Sequence, residues 1–357
     1  MTKNRRNSIC GCFAALVLAA AGWSASAYGQ RPSPTPAVSP TPPVIKDDDE
    51  PIKIDTELVN IDVRVVDRNG RPIGNLQQRD FQVLENNEPQ QIEFFSKSEV
   101  PTNYSLVVDN SGSLRQQLDK VIEASKIIVG TNKPEDETSV IRFVSRDKIT
   151  IDQDFTANKA DLFDALDSLY IEGGQTAIRD AVYLAAQRLS EYERSSGFDD
   201  RRRRALILIT DGEDRDSYFS EAQLFEMLRE SNIQIYVVGF INELDKDSGF
   251  IRKSDQAKAR SFLERLAKET GGKAYFPAAL TELTAIASDI SSELRTQYSI
   301  GYLPSKKNDG TYRNIKVIVS DGPNKEKRIA VTRTGRNANR PQPEQPSTAV
   351  TPPKKDN

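Results

Sequence analysis

From Tyr104 to about Arg295 the chain alternates between two hydrophobic rhythms, and that alternation leaves few folds open to it. Short runs rich in Ile, Leu and Val at 104–109, 139–144, 205–210, 233–240 and 273–276 read as buried strands. Between them, apolar residues recur at helical spacing over 114–130, 161–169, 180–192, 220–231, 256–270 and 280–295. Strands that are apolar throughout need cover on both faces, which helices in the crossovers supply. The expected fold class is therefore α/β, with a doubly wound, mostly parallel sheet. Residues 149–155 alternate apolar with polar instead and are expected at the edge of that sheet. Such sheets bind ligands beyond the carboxyl ends of their strands, near the point where strand order reverses.

The flanks follow another rhythm. Residues 54–66 alternate at period two, and Asn69-Gly70 offers the turn of a hairpin. Residues 80–95 add two more strands around Asn86–Glu88. On the other side of the α/β unit, 297–303, 312–320 and 327–333 read as strands. Strands from both flanks of an inserted unit point to a small β-sandwich built from non-contiguous pieces. The expected organisation is 54–100 and 297–335 as the two parts of the sandwich, with the α/β domain at 102–296 between them.

The ends set the compartment. Lys3, Arg5 and Arg6 precede an apolar run of roughly fifteen residues, and Ala25-Ser26-Ala27 follows. That is the layout of a secretory signal peptide over 1–27, too short for the ~20 apolar residues of a spanning helix. The Arg5-Arg6 pair hints at twin-arginine export, but the apolar residues expected just after it are missing. Export to the periplasm or outside the cell is expected, with no membrane span in the mature chain. Both cysteines, Cys10 and Cys12, fall inside the signal, so the mature chain relies on its core rather than on disulfides. Pro-, Ser- and Thr-rich residues with an acidic run (28–53) read as a linker, and 336–357 as a disordered tail.

Composition removes several function classes. The chain contains no histidine, which excludes Ser-His-Asp and Cys-His catalysis and His-ligated zinc. A formal charge of −3, about −6 without the signal cations, gives no reason to expect nucleic acid as a partner. Arg201 to Arg204 form a basic run at the entry to a strand, read as a solvated gatekeeper against aggregation.

Against that background one set of residues stands out. Asp109, Ser111 and Ser113 lie in VVDNSGS, Thr176 in GGQTAIRDA and Asp211 in LILITDGED. Each follows a strand or a glycine turn, and each supplies only hard oxygen. Two carboxylates and three hydroxyls, with water in the remaining positions, suit Mg²⁺ or Mn²⁺ rather than zinc. The plain alternative is a pair of strand-to-helix turns with serine caps. Asp180 opens a helix and reads as a cap, and Glu213 and Asp214 as exposed loop charges.

This D-x-S-x-S, Thr, Asp order resembles the metal-ion-dependent adhesion site of von Willebrand factor A domains. The flanking strings VVDRNGRPIGNLQQRDFQVLENNEPQ and QYSIGYLPSKKNDGTYRNIKV look like the related proteins abundant in Acidobacteria. The resemblance implies direct metal bonds from Ser111 and Ser113, with Asp109 and Asp211 often acting through water. It implies that Thr176 joins the metal when ligand is present, and that a partner's Asp or Glu carboxylate completes the shell. The expected function is an exported, Mg²⁺-dependent protein-binding module rather than an enzyme. The alternatives are a structural envelope protein with a stabilising metal site, and a metal-assisted hydrolase using Glu213, Asp214 or a lysine as base.

Overall fold

The computed structural model describes residues 58–97, 100–196, 202–241 and 253–338. The signal segment, the linker, Arg201 and the tail beyond 338 lie outside the described residues.

The first flank supplies β1 (Val59–Val66), β2 (Phe81–Glu85), β3 (Glu88–Gln90) and β4 (Ile92–Ser96). The α/β unit follows as β5 (Thr102–Asp109), α1 (Leu118–Gly130), β6 (Glu137–Phe143), β7 (Ile149–Thr156), α2 (Lys159–Asp167) and α3 (Ile178–Ser196). It continues through β8 (Arg203–Thr210), α4 (Glu221–Glu230), β9 (Gln234–Gly239), α5 (Lys253–Thr270), β10 (Ala274–Tyr275) and α6 (Leu283–Arg295). The second flank adds β11 (Tyr298–Tyr302), β12 (Tyr312–Val319), β13 (Ile329–Val331) and β14 (Gly335–Asn337).

The α/β unit is a six-stranded sheet in the order β10-β9-β8-β5-β6-β7, parallel except for the edge strand β7. All eight residues of β5 are buried, as a central strand covered on both faces requires. Its side chains alternate between two cores. Tyr104, Leu106 and Val108 meet α1, α2 and α6, whereas Val107 meets α3, α4 and α5. The chain leaves β5 for β6 on one side and returns to β8 on the other. The strand order therefore reverses at β5, and the crevice at the carboxyl ends of β5 and β8 is where such sheets hold ligands.

The flanks form two antiparallel four-stranded sheets, β13-β1-β11-β4 and β14-β12-β2-β3, around a core that includes Val63, Phe81, Tyr298 and Ile300. Each sheet mixes the two flanks: β11 of the second lies between β1 and β4 of the first, and β12 of the second pairs with β2 of the first. The doubly wound sheet is thus inserted between segments of a small β-sandwich.

Several expectations are corrected. The Asn69-Gly70 turn forms, with Asp67 accepting from the amides of Asn69 and Arg71. The returning arm, however, makes only the Val66–Pro72 bridge, because β11 and β13 already occupy β1. Asn86 and Asn87 both take positive φ and close a two-residue hairpin from β2 to β3. The apolar run that follows then changes sheets, so β3 and β4 are separate strands in separate layers. A 3-10 turn over Gly112–Leu114 delays α1 to Leu118. β14 carries the ordered fold past the expected start of the tail at 336, and Ala338 is fully buried.

Within the basic run, Arg203 is no solvated gatekeeper. Arg203 is 2% exposed and donates to the carbonyls of Leu294 and Gln297 at 3.1 and 2.9 Å, with Asp62 of β1 3.5 Å away. Nearby, Arg64 of β1 pairs with the buried Glu293 of α6. Arginine serves here because its planar fork can reach several carbonyls at once. These contacts join the α/β unit to the sandwich at the amino end of β8, opposite the crevice.

Candidate metal centre

The crevice is built from three loops laced together by backbone bonds. Asn110, just after β5, donates its amide to Phe143 O (2.9 Å) and its side-chain nitrogen to Tyr170 O (2.6 Å), and accepts from Glu172 N (3.0 Å). It therefore anchors the loop before Thr176 to the loop that carries Asp109. The Thr176 carbonyl accepts from the amides of Arg215 and Asp216 at 2.8 and 3.1 Å, which ties the threonine loop to the Asp211 loop. Asp180 accepts from the amides of Tyr218 and Phe219 at 2.8 and 2.9 Å. It pins the far end of the Asp211 loop, a different task from the expected cap on its own helix. Asp214 likewise is not a free loop charge: it accepts from Arg179 N at 2.9 Å and Ser217 Oγ at 2.8 Å. Glu213 pairs with Arg215.

Three of the expected site residues, Asp109, Ser111 and Ser113, share one hydrogen-bonded cluster, and Asp211 lies beside Ser113. Asp109 is fully buried; one carboxylate oxygen accepts from Ser111 N at 2.9 Å and the other from Thr210 Oγ1 at 2.7 Å. Ser111 Oγ and Ser113 Oγ lie 2.9 Å apart. Asp211, also fully buried, accepts from Glu213 N at 3.0 Å through one oxygen, and its second oxygen has no partner among the described residues. Thr176 is brought to the same crevice by its backbone and is 4% exposed, but its hydroxyl makes no hydrogen bond among the described residues.

The threonine loop takes its shape from its glycines. Gly173 and Gly174 sit at φ +77° and +147°, where side chains are strained, and a Cβ on Gly174 would come within 2.6 Å of Val144. The glycines set the path of the loop as well as its freedom.

The electrostatics of the cluster are unusual. Burial, and then the charge of Asp211, push the Asp109 carboxyl up to about 7, against the hydrogen bonds from Thr210 and Ser111. Burial also raises Asp211, opposed by Ser113 and by the Glu213 amide. Two like charges in a dry crevice, one with an unsatisfied oxygen, are a costly arrangement unless a cation lies between them. The donor set present is oxygen alone, and among the described residues no group of three or more His, Cys, Asp or Glu is placed to hold a metal. A small hard divalent cation fits this set and zinc does not.

Two contributors were not visible in the motif. Thr210, the last residue of β8, holds Asp109 in place, and its position just before the Asp-Gly pair was the available signal. Asn110 occupies the variable position of D-x-S-x-S yet bonds to two neighbouring segments.

An uncharacterised protein of Synechocystis sp. is 31% identical over 150 residues, which is 42% of this chain. The chain spans about a third of that relative's length. Among solved structures, an aerotolerance-related membrane protein from Bacteroides fragilis is similar over 54% of this chain and 98% of its own, at 21% identity and TM-score 0.40. A von Willebrand factor type A protein from Catenulispora acidiphila is similar over 72% of this chain and 75% of its own, at 13% identity and TM-score 0.44. The family model for the von Willebrand factor type A domain matches residues 105–289, just over half of the chain and the whole stretch that carries Asp109, Thr176 and Asp211. This chain belongs to the von Willebrand factor type A domain family.

Proposed function

We propose that this protein is an exported, Mg²⁺- or Mn²⁺-dependent protein-binding module that captures an acidic group of a partner protein. The observation that carries the reading is the buried Asp109–Asp211 pair, one of whose oxygens has no hydrogen-bond partner among the described residues, beside the paired hydroxyls of Ser111 and Ser113. These four residues and Thr176 would hold the cation. A bound ion supplies an electropositive open position that favours a carboxylate, because three neutral hydroxyls leave its charge incompletely compensated. The chain's part is to keep that position dry and fixed: Thr210 orients Asp109, Asn110 and the Thr176 carbonyl hold the loops together, and Asp180 fixes the far end of the Asp211 loop.

Family membership supports binding over catalysis, since von Willebrand A domains are generally protein-interaction modules. The two acidic candidates for a hydrolase base are engaged elsewhere, Glu213 with Arg215 and Asp214 with Arg179. The signal-like first 27 residues support export. Among the described residues no helix is long and apolar enough to cross a membrane.

The test is affinity capture from envelope extract on immobilised wild type in Mg²⁺, on wild type in EDTA, and on Thr176→Ala in Mg²⁺. A partner retained only by wild type in Mg²⁺ is expected. Equal recovery on all three would leave the metal with a purely structural part.

A further inference from the structure

The face that carries the metal centre also displays two tyrosine rings with no part in holding a cation. Tyr218 is 72% exposed and Tyr170 51%, the highest values among large apolar side chains of the described residues. Both are fixed in place. The Tyr170 carbonyl is held by Asn110, and its ring lies 4.7 Å from the Arg142 guanidinium, which also donates to the hydroxyl at 2.8 Å. The Tyr218 amide is held by Asp180, and its ring meets Phe219 edge-on at 5.4 Å. Phe219 in turn stacks on Tyr183 of α3 at 3.9 Å. Sheet order places the rings on opposite sides of the crevice. Arg142, which holds Tyr170, belongs to β6, whereas Tyr218 lies on the loop after β8, and β5 runs between those strands.

The charges around them narrow what they can bind. Arg142 is paired with Asp152, Arg146 with Asp216, Lys148 with Glu172, Arg179 with Asp214 and Arg215 with Glu213. An acidic tract would find these cations already neutralised. What the rim offers instead is flat, rigid aromatic surface, which loses little entropy on contact and gains from meeting large apolar side chains.

We propose that Tyr170 and Tyr218 are specificity-determining residues of the metal face, selecting a partner segment in which a single Asp or Glu is flanked on both sides by large apolar side chains. This inference rests on the metal-dependent binding proposed above.

A displayed peptide library with a fixed central Asp and random flanks, panned on the Mn²⁺-loaded full chain and eluted with EDTA, tests it. Eluted peptides should be enriched in aromatic and aliphatic flanks. Tyr170→Ala and Tyr218→Ala should each weaken their binding by about tenfold, while Tyr218→Phe retains it. Mn²⁺ titration of the three variants should match wild type, because alanine keeps the backbone groups that Asn110 and Asp180 use. EDTA-eluted peptides with acidic or random flanks, or peptides indifferent to both alanine variants, overturn the tyrosine inference while the metal reading stands. If no peptide elutes with EDTA, metal-dependent carboxylate capture itself fails, and the inference with it.

Discussion

Asp109 and Asp211 are two carboxylates that a protein gains nothing by burying together unless a cation accompanies them. This gives a test at the level of one atom. In metal-free protein, Asp211→Asn removes the like charge that raises Asp109 and keeps the shape of the side chain. The stripped variant should therefore be more stable than stripped wild type at pH 8, by on the order of 2 kcal/mol. With saturating Mn²⁺ the order should reverse, because only wild type gains binding energy in its native state. Urea unfolding with and without Mn²⁺ measures both differences, and a variant less stable in both conditions would show that the pair is not repulsive without metal. The motif residues were legible in the sequence because each stands at a fixed offset from a strand end or glycine turn. Their supports were not. Thr210 looks like the end of a strand, Asn110 like a variable position and Asp180 like a cap, because their partners lie dozens of residues away.

At the scale of elements, hydrophobic rhythm located the strands and helices of the α/β unit within a few residues, since burial on both faces leaves a strong local signature. It failed where the chain changes layer. Nothing in EPQQIEFF marks the step from one sandwich sheet to the other between β3 and β4, and β14 is only three residues long, an arginine and an asparagine after a glycine. The start of α1 moved because residues 109–113 spend their local bonds on the site rather than on a helix. The threonine loop makes its own prediction. Gly174→Ala should cost about 1–3 kcal/mol, from strained backbone and from contact with Val144. Adding Val144→Ala should recover the contact but leave the backbone cost. Denaturation of the single and double variants separates the two, and a Gly174→Ala protein as stable as wild type would mean that the loop relaxes freely.

At the scale of the whole molecule, the period-two flanks revealed a sandwich, while what locks it together is carried by long-range ionic contacts that no local pattern displays. Arg203 sat in a run of four arginines that resembles a solvated entry, yet it bonds α6, β11's approach and β1 at once. Glu85 does comparable work inside the sandwich. It comes from the first flank, is 3% exposed, and accepts from Arg313 at 2.8 Å, Arg336 at 3.2 Å and the Tyr302 hydroxyl at 2.6 Å, all from the second flank. Tyr302 belongs to one sheet and the other three to its partner, so a single carboxylate ties both layers and both flanks. Burial raises its pKa, but the bonds from Arg313 and Tyr302 and the charges of Arg336 and Arg313 outweigh it, and the net shift is downward. A carboxyl lowered in the native state contributes stability that is fully present above its unfolded value of 4.5 and lost as pH falls through the lower native value. Wild type should therefore lose stability between pH 5 and pH 3 more steeply than Glu85→Gln. At pH 7 the variant should be weaker by about 3 kcal/mol, because two buried guanidiniums lose their counter-charge. Urea unfolding across that range measures both effects, and parallel pH profiles for the two proteins would remove Glu85 from the set of groups that hold the sandwich closed.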